Sequence, residues 1–195
     1  FLSRDSESYE RIRNNFAYWD DIVIRFKGED IRCEGNGFCG TSRVSLLTLL
    51  QERCIEVGVN ITFEARIEPE TLETRFADSD IILAADGIGS PIREYYKEQF
   101  QPTTVMKSNR FCWMGSKRPL KDFTYFFKET EHGLICAHTY QYEPGLSTWI
   151  FEMSDECWSG WQFEEFDEEG SRAKLEAIYA EELEGYPLIL NRSLW

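Results

Sequence analysis

The chain has 195 residues, a formal net charge of -14 at neutral pH, 42% hydrophobic residues and 15% aromatic residues. That length and hydrophobic content bury a real core and exclude a disordered tail. The acidity argues against nucleic acid or an anionic membrane surface as the main partner, because both need a basic face, while the Trp, Tyr and Phe content suits flat rings.

The first segment, ESYERIRNNFAYW, has helical spacing with Tyr9, Ile12 and Phe16 on one side. DIVIRF then alternates, Lys27 and Gly28 read as a turn, and EDIRCE continues extended, which predicts a hairpin. GNGFCG, Gly35 to Gly40, spells the dinucleotide fingerprint G-x-G-x-x-G. A working fingerprint needs a buried parallel strand before its first glycine, and EDIRCE is neither apolar nor continuous. A glycine-rich turn leading to a helix is the reading that follows, with a nicotinamide-dependent dehydrogenase using residues 35–40 kept as the alternative.

From Arg43 the apolar positions Val44, Leu47, Leu50, Cys54 and Val57 recur at three and four, and Gly58 marks a helix stop. ITFEARI alternates as a strand, and the unbroken run Ile81 to Ala85 predicts a strand covered on both faces, as in a parallel sheet. Asp86 and Gly87 end that run, and Ser90 with Pro91 opens a helix over SPIREYYKEQF. Ligands of open α/β sheets bind at such strand ends.

After Pro102 the runs RFCWMG, FTYFFKE, LICAHTYQY and STWIFEM alternate between turn-like segments and predict four antiparallel strands. Two-residue alternation puts Cys136, His138, Tyr140 and Tyr142 on one strand face. The tail FDEEGSRAKLEAIYAEELEG reads as an acidic helix with Leu175, Ile178, Tyr179 and Leu183 turned inward.

The six cysteines form no C-x-x-C pair and only two histidines accompany them, so free thiols in a reducing cytosol, and no metal site, are expected. No run approaches a membrane helix, and the N-terminus lacks signal-peptide order, which points to a soluble cytoplasmic protein. The chain begins FLSRDSES without Met and stops at NRSLW, and reads as a piece of something longer.

Asp86-Gly87, Ser90 and Arg93 after an apolar run resemble the second flavin motif of the FAD-dependent aromatic hydroxylases, the single-component flavoprotein monooxygenases. GTSRVSLLTLLQERCIEVGVNITFE resembles the family segment in which a residue before a helix contacts the flavin, and Arg43 holds that position. The aromatic region from Asn109 to Glu152 is similar to the branch that hydroxylates salicylyl-CoA and related CoA-linked aromatics.

The resemblance implies an α/β fold, α+β within this chain. Residues 1–101 are then part of a three-layer FAD-binding domain with an inserted hairpin, and residues 102–195 a mostly antiparallel substrate-binding sheet with flanking helices. It further implies FAD, NAD(P)H as electron donor, a flavin hydroperoxide, and transfer of one oxygen to an aromatic ring on a salicylate- or anthranilate-type substrate. Arg43, Asp86 and Gly87 become flavin-binding candidates, with Arg93 expected to brace the Asp86 loop through a salt bridge. Tyr140 and Trp149, with Trp113, become substrate candidates, and His138 the base or hydrogen-bond donor ahead of His132. The family's first glycine unit and later Gly-Asp motif do not occur in these residues, so the chain alone is expected to be colourless and inactive. A domain that only binds an aromatic ligand is the non-catalytic alternative.

Overall fold

The computed structural model describes residues 4–191, so the terminal FLS and RSLW on which the reading of a piece rests lie outside the described residues. Two compact units emerge. One joins the residues up to Val57 with those from Ser108 onward; the other is Gly58–Lys107.

The first unit opens with helix α1 (Ser6–Arg13), strand β1 (Ala17–Trp19), the hairpin β2 (Ile22–Phe26) and β3 (Glu29–Cys33), strand β4 (Phe38–Gly40) and helix α2 (Arg43–Glu56). Its later part holds β5 (Arg110–Ser116), β6 (Phe123–Thr130), β7 (Gly133–Glu143), β8 (Leu146–Met153), α6 (Asp155–Gly160), α7 (Glu168–Ile178), α8 (Ala180–Leu183) and β9 (Leu188–Leu190). Seven strands pair in the order β3-β2-β6-β7-β8-β5-β9, and only β2 with β6 is parallel. The expected hairpin is present, with Lys27 and Gly28 both at positive φ, as a two-residue type I′ turn requires. Sequence order grouped it with the first half of the chain. Pairing of β2 with β6, from Ile22↔Phe123 to Phe26↔Phe127, ties it to the sheet of the second half.

Alternation decides which side of the sheet is dry. Thr124 and Phe126, then Ile135, Ala137 and Thr139, then Trp149 and Phe151, point to one face and are buried. Leu175, Tyr179 and Leu183 cover that face, and the Tyr179 hydroxyl donates to the Ile135 carbonyl at 2.9 Å. The acidic tail therefore turns its apolar side inward as expected. It is not continuous, however, because α7 ends at Ile178 and α8 restarts after Tyr179, whose ψ is 24°. The first helix also stops short: Ala17–Trp19 are a strand that pairs with Phe38–Gly40.

The second unit contains α3 (Leu72–Arg75), α4 (Pro91–Tyr95) and α5 (Lys97–Phe100), and no strand among its described residues. This corrects two expectations. ITFEARI is irregular, and the run Ile81 to Ala85 forms no strand and has no sheet partner, with Ile81 77% and Leu83 87% exposed. A strand covered on both faces needs neighbours for its backbone and side chains. The short helices of Gly58–Lys107 supply none. Ser90 and Pro91 do start a helix, but it breaks at Tyr96, and α5 ends on Gln101 in the left-handed region.

Candidate functional site

GNGFCG is occupied by structural duties. The strand preceding it, β3, is an antiparallel edge strand, and Phe38, Cys39 and Gly40 are themselves β4. Gly35 has φ +72°, and a Cβ on Gly40 would stand 2.8 Å from Trp19 Cη2. The glycines serve a turn and the close seating of a Trp ring, and the strand-turn-helix geometry of a dinucleotide site is not formed.

The Asp86 loop is ordered by its own side chains. Ser90 caps α4 by accepting from Arg93 N at 2.9 Å, and the same hydroxyl donates to Asp86 Oδ1 at 2.6 Å. Asp86 Oδ2 accepts from Ile92 N at 3.4 Å. Chiefly through the Ser90 hydrogen bond, the Asp86 carboxyl is held below its ordinary pKa. Gly87 has φ +91° with open space where a Cβ would stand. Arg93 braces the loop through the carbonyls of Gly87 and Ile88, and not through the Asp86 carboxylate as a salt bridge.

Arg43 is the first residue of α2, whose N-cap Ser42 accepts from Ser45 N. The helix runs as its spacing predicts and stops before Gly58 at φ +80°. Arg43 is exposed, and among the described residues its guanidinium takes part in no hydrogen bond or ion pair. Ser45 Oγ reaches Glu143 Oε1 at 3.5 Å, which sets the start of this helix beside the end of β7.

The other face of the sheet is not covered by the helices that close the core. Cross-strand register lays a row across it, Ile24, Tyr125, His138, Ile150 and Trp113. A neighbouring row contains Phe26, Phe127, Cys136, Glu152 and Phe111. At one end, Tyr140 stacks on Phe123 at 5.2 Å, and Trp19 meets Tyr140 edge-on at 5.3 Å, so β1 and β4 lie over that corner. The central row stays partly open. Aromatic side chains held on strands form a rigid platform for a flat ring.

The sequence-derived candidates divide across the sheet. His138 and Tyr140 stand on the open face, with Trp113 40% exposed there. Trp149 is on the opposite, core face with 0% exposure; it stacks on Phe126 at 5.5 Å and its Nε1 donates to Ser147 Oγ. Register separates Trp149 from Tyr140: Trp149 pairs with Thr139, the neighbour of Tyr140 that alternation turns to the core. His132 sits at the β6–β7 turn, edge-on to Trp161 at 5.0 Å, away from the central row.

Sequence reading missed Glu152, Asn109 and Tyr125. Glu152 Oε2 lies 3.4 Å from His138 Nε2, Asn109 Nδ2 donates to Glu152 Oε1 at 2.8 Å, and Tyr125 meets the His138 ring at 4.8 Å. Alternation along STWIFEM already turns Glu152 away from Trp149 and Phe151. Pairing it with His138 needed the register of β7 and β8. All six cysteines are free, and burial pushes the Cys112 and Cys136 thiols up to about 12. Among the described residues no helix is long and apolar enough to cross a membrane.

No family model matches the chain. It is 31% identical to a salicyloyl-CoA 5-hydroxylase of Streptomyces over 95% of its length, covering 37% of that protein. It is 27% identical to a 3-hydroxy-4-methyl-anthranilyl-[aryl-carrier protein] 5-monooxygenase of Streptosporangium sibiricum, over all of this chain and 50% of that one. A protodeoxyviolaceinate monooxygenase of Chromobacterium violaceum is also 27% identical, over 95% of this chain and 49% of its own. The chain therefore spans half or less of the curated relatives it matches. In fold it is similar to a flavoprotein/dehydrogenase from Cytophaga hutchinsonii, with a TM-score of 0.60 at 13% identity, over 99% of this chain and 54% of that structure. The curated relatives are aromatic monooxygenases, as the resemblance of the Asp86 loop and the aromatic strands implies.

Proposed function

We propose that this chain, related over nearly its whole length to aromatic monooxygenases, is the central part of an FAD-dependent, NAD(P)H-using enzyme that hydroxylates an aromatic ring. The observation that carries the reading is the sheet with one dry, helix-covered face and one aromatic face open at its centre. A ring stacked on Tyr125 or Trp113 buries apolar area on both partners and lies beside His138 and, in the neighbouring row, Glu152. Tyr140, packed under Trp19, supports the platform from one end, and Trp149 supports it from beneath.

Each unit, taken by itself, holds residues suited to a flavin. A carboxylate offers about four acceptor positions; Asp86 uses two within its own loop, which fixes its orientation and leaves capacity for ligand hydroxyls. Gly87 leaves room for close approach, and Arg43, a cation without a partner among the described residues, stands in the first turn of a helix, suited to an anionic or electron-rich group. FAD, reduced by NAD(P)H, supplies the oxygen-activating chemistry; the chain orients the ring and limits water around it.

Residues 1–101 contribute to the flavin domain and residues 102–195 to the substrate sheet, with the β2–β3 hairpin joined to the latter. A salicylate- or anthranilate-type acid carried on CoA or a carrier protein is the substrate class, supported by the names of two relatives. The free thiols favour a reducing cytoplasm.

The test is a longer protein carrying this chain, supplied with FAD, NAD(P)H, labelled dioxygen and salicyloyl-CoA. A ring-hydroxylated product with one labelled oxygen is expected. NAD(P)H oxidation indifferent to any aromatic thioester, or no flavin retained, overturns the reading. The 195-residue chain by itself should purify colourless, and stoichiometric flavin absorbance would show that it holds FAD unaided.

A further inference from the structure

Glu152 is the one carboxylate in the two central rows of the open face between β2 and β5. Its cross-strand neighbours are Phe111 and Cys136, and alternation puts Ile150 beside it on its own strand. An acid on such a surface gives up part of its hydration, and it adds nothing to the core, which Phe151 and Met153 on either side of it supply. Yet its orientation is fixed. Asn109, the residue before β5, donates from Nδ2 to Glu152 Oε1 at 2.8 Å, while Oε2 lies 3.4 Å from His138 Nε2 and so faces the row of Tyr125 and Trp113. Among the described residues Oε2 accepts no hydrogen bond, and no Lys or Arg pairs with this carboxylate. Burial lowers the His138 pKa from its ordinary value, against the opposing pull of Glu152, so the imidazole brings no positive charge to it at neutral pH. The result is an oriented acceptor with an open position at the edge of a ring platform.

The group that suits this position follows from counting hydrogens. In an aryl thioester, a hydroxyl ortho to the acyl group gives its one hydrogen to the thioester carbonyl and turns oxygen lone pairs outward. An ortho amine gives one N–H to that carbonyl and keeps a second pointing outward. The second N–H can be accepted by Glu152 Oε2, whereas the hydroxyl lone pairs are repelled by it.

We propose that Glu152, oriented by Asn109, is a specificity residue that selects ortho-amino over ortho-hydroxy aromatic acyl groups; this rests on the open face being the ring site. No bond breaks and no proton moves in this selection, which is a difference in binding between two ligands of nearly equal size. The discrimination is strong because the wrong ligand leaves a fixed acceptor unpaired against its own lone pairs. Asn109 is a positioning residue, since without it the carboxylate is free to turn toward water.

The full chain is titrated with 2-aminobenzoyl-CoA, followed by the fluorescence of its ring, and salicyloyl-CoA is scored by displacement. The parent chain should bind the amino thioester at least about tenfold more tightly. Glu152→Gln should bring the two ligands within about threefold of each other, because a neutral amide is a poorer acceptor and can also donate to the hydroxyl. Asn109→Ala should reduce the preference to a smaller extent. The ratio of the two affinities is the readout, and a loss of packing would weaken both ligands alike without moving it. Circular dichroism confirms that the variants fold, and should Glu152→Gln not fold, Asn109→Ala at its exposed position decides. Equal binding of the two thioesters by the parent chain, or a preference undiminished in the deciding variant, overturns the specificity assignment while the ring site stands. Binding of neither thioester, or binding that Trp113→Ala does not weaken, overturns the ring site and this proposal with it.

Discussion

The sheet unit and Gly58–Lys107 have comparable shares of apolar residues and opposite fates for them. In the sheet, Ile135, Ala137, Trp149 and Phe151 are sealed under Leu175 and Tyr179. In Gly58–Lys107 only Pro69, Leu72, Ser90 and Ile92 are buried, and Ile88 is 96% exposed. The difference is one of partners. Every strand of the sheet has its neighbour in the same unit, whereas the apolar run Ile81 to Ala85 has none there. Burial of this kind is a property of an assembled layer and not of the segment that contributes to it.

That contrast can be broken first by amide exchange. Amides of residues 135–139 should exchange on the order of a thousandfold more slowly than those of residues 81–85, measured by mass spectrometry of peptic fragments. Similar rates would mean that the second unit hides a partner. Next, Trp149→Ala should cost about 3–5 kcal/mol in urea denaturation, while Leu83→Ala should change stability by less than about 0.5 kcal/mol.

A smaller effect sharpens the sheet side. Gly40→Ala must move the Trp19 ring, with which its Cβ would collide, and should cost about 1–3 kcal/mol together with a change in Trp fluorescence. On the other side, Ser90→Ala removes both the α4 cap and the Asp86 partner. It should cost about 1 kcal/mol locally, expose the Arg93 amide to exchange, and let the Asp86 pKa rise toward its ordinary value.

The smallest effect concerns pH. Arg53 holds the half-buried Asp5 carboxyl near a pKa of about 2 by a hydrogen bond, with Ser8 assisting. Because the folded value is depressed, the contribution of this pair between α1 and α2 is present above the ordinary carboxylate value and fades as pH falls through about 2. NMR titration of Asp5 in the parent and in Arg53→Gln checks it, and an unchanged midpoint would show that the contact does not form in solution.

How much was legible follows the same line. The β2–β3 turn, the α2 helix with its stop before Gly58, the Ser90 cap and the four aromatic strands were readable because neighbouring residues determine them. The parallel β2–β6 pairing was not, since nothing local in DIVIRF announces a partner a hundred residues on. Trp149 and Tyr140 looked alike in composition, and only the register shows that one faces the core. Glu152 beside His138 was hidden for the same reason, as cross-strand neighbours are adjacent only after the sheet has formed. GNGFCG was the reverse case, a local spelling whose glycines answer to Trp19 and a turn.

The β2–β6 pairing also sets a timetable. Ile22 must wait for Phe123 to be synthesised and presented before their ladder can close. During that interval the hairpin offers an unpaired strand edge, and closing so long a loop slows the search. Refolding should therefore be limited by the arrival of this one strand, and a chain interrupted before Phe123 would leave the hairpin as a sticky ribbon with nowhere to dock.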